Sequence, residues 1–315
     1  MPAASDSSAL PRLAFLGPEG TYSHQVANEH FSESVEYKAC KTIADVFYSV
    51  NETFQFGLLP QENSIFGMVI ETYDLLRSDD VGRTKWIRGA VTLPVQHCLL
   101  VRKGQKLHNI KRLLSHEQAL GQCSQFIANH LPDATLVKTA STAAAAEFIA
   151  THDKRAESAA ICSKFCTTLF DNIQALHEGI QNVNFNFTRF YIMANDLKLP
   201  LPLPPSRNPR QALVRIDVGP PLSHNTECLS SVSITDLLGA LRLSATRIDR
   251  RPSLEPSKYR HAYFVEVIDR SRSASYLEEQ GRGDEVDEKR WFDKVFHGAG
   301  RVIGAGGSAS VLGIW

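Results

Sequence analysis

"RLAFLGPEGTYSHQVANEHF", residues 12–31, decides the class of fold. Its opening, "RLAFLG", is mostly apolar and reads as a short buried strand. Gly17 and Gly20 let the backbone turn tightly, and Thr21 stands where a helix N-cap is wanted. The remainder, "TYSHQVANEHF", has helical spacing. Strand, polar turn and helix make one α/β unit.

The same order recurs downstream. "TIADVFYSVNE" begins with Thr42 and Asp45 at capping-box spacing. "FQFGLLP" reads as a strand, followed by the loop "QENSIFG" and a helix "MVIETYDLLRS", and "GAVTLPVQHCLLV" is extended. "IKRLLSH" with "EQALGQCSQFIANH", "ATLVK" with "STAAAAEFIATH", and "SAAIC" with "SKFCTTLF" are further strand–helix pairs. Alternation of this kind predicts mainly parallel sheets. "LKLPLPLPPSRNPR" then places prolines at 200, 202, 204, 205 and 209. Proline fixes φ and removes donors, so this segment reads as a semi-rigid spacer between domains.

Beyond the spacer, "QALVRIDVG" reads as a strand, "CLSSVSITDLLGALR" as a helix, and "SATRIDR" and "HAYFVEVID" as strands. "EEQGRGDEVDEKR" reads as a solvated loop, "WFDKVFHG" as a helix and "SASVLGIW" as a last strand. That order is βαββαβ, a ferredoxin-like domain. The boundaries expected are a flexible 1–11, a first domain at 12–197, a linker at 198–210 and a second domain at 211–315.

The totals agree with two domains. A chain of 315 residues is long for one core, and 43% hydrophobic with 22% charged residues suits a soluble globular protein. Lys+Arg and Asp+Glu are equal at 34 each, so no bulk field draws nucleic acid or an anionic membrane. No stretch approaches the roughly 18 apolar residues that span a bilayer. "MPAASDSSALPRLAFLG" lacks the features of a secretion signal or presequence, and a cytoplasmic location is expected. The cysteines at 40, 98, 123, 162, 166 and 228 read as reduced, buried thiols. Cys162 and Cys166 could share a helix face, but no second pair completes a zinc site. The glycosylation sequons at Asn51 and Asn186 read as chance matches.

Several short stretches carry polar side chains where chemistry could occur. "GAGGSA", residues 304–309, has dinucleotide-fingerprint spacing but no helix behind it, and reads as a turn. In "LGPEGTYSH", Thr21, Tyr22 and Ser23 offer hydroxyls at a helix start. In "LPQENSIFG", Asn63 and Ser64 are placed at a helix N-terminus, either binding a carboxylate or simply capping, with Glu62 orienting neighbours. "LLSHEQALGQC" puts Ser115 and His116 at a strand end and Gln122 in the next helix, without a nucleophile elbow. "TAST" makes a further polar turn with Ser141 and Thr142. In "NFNFTRFYIMA", residues 184–194, Thr188 and Arg189 sit between Phe187 and Phe190. They are either the wet end of a strand or a catalytic edge. Polar turns at the ends of parallel strands, supplying amides, hydroxyls and carboxamides, suit a small polar anion.

In this order and at these separations, "LGPEGTYSH", "PQENSIFG", "LSHEQALGQC" and "NFTRF" resemble the prephenate dehydratase family. The resemblance runs from about residue 12 to Trp315. It implies an α/β, two-lobed catalytic domain like the periplasmic binding proteins at 12–197, with the second lobe at about 90–180. A βαββαβ regulatory (ACT) domain would follow. The implied reaction turns prephenate into phenylpyruvate, water and carbon dioxide on the route to L-phenylalanine, with no cofactor and no metal. Thr188, Arg189 and Phe190 are the implied catalytic residues, and Thr21, Tyr22, Asn63, Ser64, Ser115, Gln122, Ser141 and Thr142 the implied substrate-binding set. Where the family has an E-S-R-P effector segment, this chain has Asp249, Arg250, Arg251 and Pro252. The companion G-A-L segment would fall at Cys228–Ser231, where "CLSS" stands. An L-phenylalanine effector and a homodimer or homotetramer are implied. An arogenate dehydratase and a non-catalytic sensor are the competing readings.

Overall fold

The computed structural model describes residues 10–203, 210–218, 232–254, 260–270 and 284–315. Its elements begin with β1 (Arg12–Leu16), α1 (Tyr22–Phe31), β2 (Glu36–Cys40), α2 (Ile43–Ser49), β3 (Phe56–Asn63), β4 (Gly67–Met68) and α3 (Ile70–Leu75). There follow β5 (Trp86–Pro94), β6 (Cys98–Arg102), β7 (Arg112–Ser115), α4 (Glu117–Gln122), α5 (Ser124–His130), β8 (Thr135–Lys138) and α6 (Thr142–Thr151). Next are β9 (Ser158–Cys162), α7 (Cys166–Leu169), β10 (Ile173–Glu178) and β11 (Phe187–Ala194). The chain ends with β12 (Gln211–Val218), α8 (Ile234–Leu241), β13 (Ser244–Pro252), β14 (His261–Ile268), α9 (Asp284–Gly304) and β15 (Ser308–Ile314).

Two compact units result: Met1–Val69 with Ala90–Tyr191, and Ile70–Gly89 with Ile192–Trp315. The second unit therefore includes residues 70–89, a stretch the sequence reading assigns to the first domain.

In the first unit β1 pairs in parallel with β2 and with β3, and β11 follows β3. Leu13, Ala14 and Phe15 of β1 are buried, so the apolar run does form a buried strand, between β2 and β3. Thr21 caps α1, its hydroxyl accepting from His24 N at 3.3 Å, and Thr42 and Asp45 form the expected capping box on α2. A second sheet runs β10-β6-β9-β7-β8. It is mixed: β7 is parallel to β8 and β9, while β6 is antiparallel to β9 and β10. Alternation along β6 feeds two cores. Leu99 and Val101 pack with Ala119, Leu120 and Ile127 of α4 and α5; Cys98 and Leu100 pack with Ala145, Ala146 and Ile149 of α6.

Three local expectations are corrected. Asn63 and Ser64 do not open a helix: β3 runs through Asn63 and turns into β4, with Asn63 paired to Gly67. The Asn63 carboxamide oxygen accepts from Ile65 N and Phe66 N, and Gly67 takes φ +81, which together close a hairpin rather than a cap. An Asx turn and an N-cap use the same side chain in the same way, so the sequence could not separate them. Cys162 and Cys166 share no helix face, since one ends β9 and the other starts α7. The five described cysteines are buried and unbridged, and Cys228 lies outside the described residues. Finally, "DEVDEKR" is helical, forming the first turns of α9. The charged residues before Asp284, and the "CLSS" stretch, lie outside the described residues.

In the second unit the described strands β13-β14-β12-β15 are antiparallel neighbours, with α8 and α9 supplying the βαββαβ order. Trp291, Val295, Ala299 and Val302 of α9 meet Leu237 and Leu241 of α8 over Val214, Ile216, Val265 and Val267. The 70–89 segment joins this unit through β5, where Ile87 pairs with Gly313. A Cβ at Gly313 would stand 2.0 Å from the Ile87 carbonyl oxygen, so glycine alone admits that approach.

Candidate active site

Thr188 lies half-buried near the start of β11, beside the β3–β4 hairpin. Its Oγ1 accepts from Asn63 Nδ2 at 3.0 Å. Asn63 Nδ2 also donates to Asn186 Oδ1 at 2.8 Å, and Asn186 Nδ2 donates to Gln122 Oε1 at 3.2 Å. The same Gln122 oxygen stands 2.5 Å from His97 Nε2, and His97 Nδ1 stands 2.7 Å from the Tyr22 hydroxyl. One hydrogen-bonded chain therefore runs Thr188–Asn63–Asn186–Gln122–His97–Tyr22, and all of it lies within the first unit.

The proton positions follow from this order. Gln122 Oε1 can only accept, so His97 carries its proton on Nε2, and Nδ1 accepts from the Tyr22 O–H, a proton shared with the Gln96 carbonyl oxygen 3.1 Å from the same hydroxyl. Burial pushes the His97 imidazole below its ordinary range, outweighing the opposing effect of its hydrogen bond to Gln122, and so keeps the ring neutral. Burial likewise raises the Tyr22 phenol well above its usual range. The whole chain is thus uncharged near neutrality. Thr188 has no acceptor for its own proton among the described residues.

Of the residues singled out in the sequence, Tyr22, Asn63, Gln122 and Thr188 are brought together here. Ser64 instead clamps the hairpin to the approach of β11: its N–H donates to Phe187 O at 2.8 Å, and its hydroxyl accepts from Phe187 N at 2.9 Å. Ser115 is fully buried and donates to Ile161 O at 2.5 Å, while His116 accepts from Gln118 N. Neither faces the other, which removes the Ser–His nucleophile reading. Ser141 caps α6, accepting from Ala144 N at 3.0 Å, with Thr142 as the first helical residue. Thr21 donates to Leu16 O while it caps α1. Arg189 reaches over the ring of Tyr191, 5.9 Å from its centroid, on the strand face opposite Thr188. Phe190 is buried in the core.

His97 and Asn186 were not among the candidates. His97 stands in "VQHCLLV", where nothing but a polar residue at the head of an apolar strand marks it. Asn186 was visible only as a sequon. Its side chain is 2% exposed, so it is spent on this network. The rim is apolar: Ile65 and Phe66 of the hairpin, Phe185 just before β11 and Phe187 at its start are exposed, Phe185 by 79%. Among the described residues no three His, Cys, Asp or Glu side chains cluster as metal ligands.

Comparison with known proteins places the chain. Residues 13–198 match the family described as prephenate dehydratase. The bifunctional chorismate mutase/prephenate dehydratase of Escherichia coli K12 is 39% identical over 189 residues, covering 58% of this chain and 47% of that protein. Its Pseudomonas aeruginosa counterpart is 31% identical over 268 residues, covering 82% of this chain and 65% of the relative. The chain thus spans about half to two thirds of the length of these relatives. A crystal structure of prephenate dehydratase in complex with L-Phe from Arthrobacter aurescens shares the fold, with a TM-score of 0.70 at 22% identity over 96% of this chain and 89% of that one. A match that contains every member of the Thr188 network, on a fold shared along nearly the whole length, means that this chain belongs to the prephenate dehydratase family.

Proposed function

We propose that this chain is a carbon–oxygen lyase that converts prephenate to phenylpyruvate, water and carbon dioxide in L-phenylalanine biosynthesis. The observation that carries the reading is the Thr188 hydroxyl, held through its oxygen by Asn63. An alcohol oxygen that accepts a hydrogen bond becomes a better donor through its own proton. That proton is aimed at the ring hydroxyl of the substrate. As the ring carboxylate leaves as carbon dioxide, its bonding pair enters the ring, the hydroxide departs with assistance from Thr188, and the ring becomes aromatic. Aromatisation supplies much of the driving force, so a positioned donor is enough.

Asn63 then holds Thr188, and Asn63, Gln122 and Tyr22 hold the substrate, with His97 and Asn186 fixing their orientation. The exposed rim of Ile65, Phe66, Phe185 and Phe187 suits the carbon ring. Thr21, Ser64, Ser115, Ser141 and Thr142 shape the turns, Arg189 supports β11 from its far face, and Phe190 anchors the strand. No cofactor or metal is required by this chemistry.

The same proposal assigns residues 12–197 to catalysis, with a second lobe at about 90–180, residues 198–210 to a linker and 211–315 to a regulatory ACT-type domain. A homodimer or homotetramer in the cytoplasm, with L-phenylalanine as effector, completes it; the Arthrobacter relative is described with L-Phe bound. The deciding experiment is absorbance of phenylpyruvate in alkali after incubation with prephenate. Folded protein that yields no signal overturns the proposal, and faster turnover of arogenate reassigns the substrate.

A further inference from the structure

We propose that the second unit carries a binding site for a small, multiply charged anion, formed where α8 ends, β13 begins, β14 ends and α9 passes. Four basic residues of α9, Arg290, Lys294, His297 and Arg301, recur at helical spacings of four, three and four, so they share one stripe. The neighbouring stripe, Trp291, Val295, Ala299 and Val302, is locked in the core, which fixes the direction of the basic one. Arg242 reaches the same place from the C-terminal cap of α8 and Arg270 from the residues just beyond β14. Together these groups line a cavity of about 570 Å³, a size suited to a metabolite.

Charge decides what such a cavity takes. Among the described residues, five permanent cations face two carboxylates, Asp269 and Asp293, leaving three positive charges in excess on a chain whose formal net charge is zero. Arg301 is partly spent, donating to Ala240 O at 3.0 Å and Leu241 O at 2.8 Å, and Lys294 lies 3.5 Å from Asp269. Arg242, Arg270 and Arg290 have no carboxylate partner among the described residues. Arg242 also holds φ 54, a conformation glycine would adopt without strain. A merely solvated helix face intersperses both signs; here cations from three elements converge on one concavity. Guanidinium forks select paired anionic oxygens, so the ligand is a small molecule bearing at least two phosphate or carboxylate groups. Ser244 at this end of β13 and Arg251 near the other are seven residues apart, roughly 20 Å along a strand, so the site is separate from the Asp249–Pro252 segment.

The test is titration calorimetry of the full chain with inorganic pyrophosphate and, separately, with citrate, at constant ionic strength. One saturable site per chain is expected for at least one of them, and the tighter of the two names phosphate or carboxylate as the preferred group. Affinity should fall by about tenfold or more in the Arg270→Ala/Arg290→Ala double variant, since each arginine supplies charge-assisted hydrogen bonds. Both side chains are exposed, so the variant should fold and turn over prephenate as the parent does. Absence of saturable binding of either anion, or unchanged affinity in the double variant, overturns the proposal.

Discussion

Asn63 Nδ2 donates to Thr188 Oγ1 at 3.0 Å, so the hydroxyl most central to the site is fixed through its oxygen and keeps its hydrogen to give. The contact joins residues 125 positions apart, one at the end of β3 and the other near the start of β11. Two strands of one sheet thereby hold a donor with little freedom to turn away, and rigid placement of this kind is what lets a weak acid assist a leaving group.

Replacing Thr188 should therefore separate chemistry from folding. Thr188→Val keeps the shape of the side chain and removes its O–H, and turnover should fall by about 10²–10⁴, the range of positioned proton donors. The Michaelis constant and urea midpoint should change little, because a half-buried hydroxyl with one hydrogen bond contributes about 1 kcal/mol. Thr188→Ser should retain much of the activity. Steady-state kinetics beside urea melts decide the matter, and a Val variant as fast as the parent ends the assignment.

What the sequence could reveal of this arrangement depended on how local each signal was. The Thr21 cap, the Thr42–Asp45 capping box and the βαββαβ order rest on neighbours in the chain, and all were legible. "GAGGSA" was legible as a turn for the same reason, with Gly304 closing α9 and Ser308 opening β15. The network was not. His97 and Asn186 acquire meaning from partners 25 and 64 residues distant around Gln122, and no spacing rule reaches that far. Asn63 was located correctly and misread in context, because a hairpin Asx turn presents the same side-chain oxygen to the same nearby amides as a cap. Alternation along β11 could have shown that Arg189 turns away from Thr188, had the strand been extended back to Phe187.

Neutral His97 makes stability depend on pH. Its folded-state affinity for a proton lies below the ordinary value of 6.5, and burial of His24 shifts that ring in the same direction. Above the ordinary value both folded and unfolded chains leave these rings uncharged, and no stability is lost. As pH falls through it, the unfolded chain binds protons first, so the folded state loses stability until the buried rings also titrate. The urea midpoint should drop between about pH 7 and about pH 5, and His97→Gln should make that drop shallower, with His24 supplying the remainder. Equal slopes for parent and variant would show that His97 is charged, or free to charge, in the folded protein.

Arg251 grips Asp74 with two nitrogens, Nε to Oδ1 at 2.6 Å and Nη2 to Oδ2 at 3.0 Å, and Arg77 Nη2 approaches the same carboxylate at 2.8 Å. Beside them the Tyr73 hydroxyl donates to Asp249 Oδ2 at 2.7 Å, and Arg77 donates to Pro252 O at 2.7 Å. The Asp249–Pro252 stretch of β13 is thus already engaged with residues 73–77, and any effector drawing on Asp249 or Arg251 must compete with those bonds. The two partners should not be equivalent. Asp74→Ala leaves two guanidinium groups facing each other without their carboxylate, whereas Arg251→Ala leaves Asp74 with Arg77. Asp74→Ala should therefore destabilise more, and a double-mutant cycle on the urea midpoints should return a coupling of about 1 kcal/mol, at the upper end for a partly exposed pair because the geometry is bidentate. A coupling near zero, or a larger loss from the arginine change, would mean that the segment is held to the sheet by the packing of Tyr73 on Phe264 of β14, 5.2 Å between ring centroids, rather than by charge on β13.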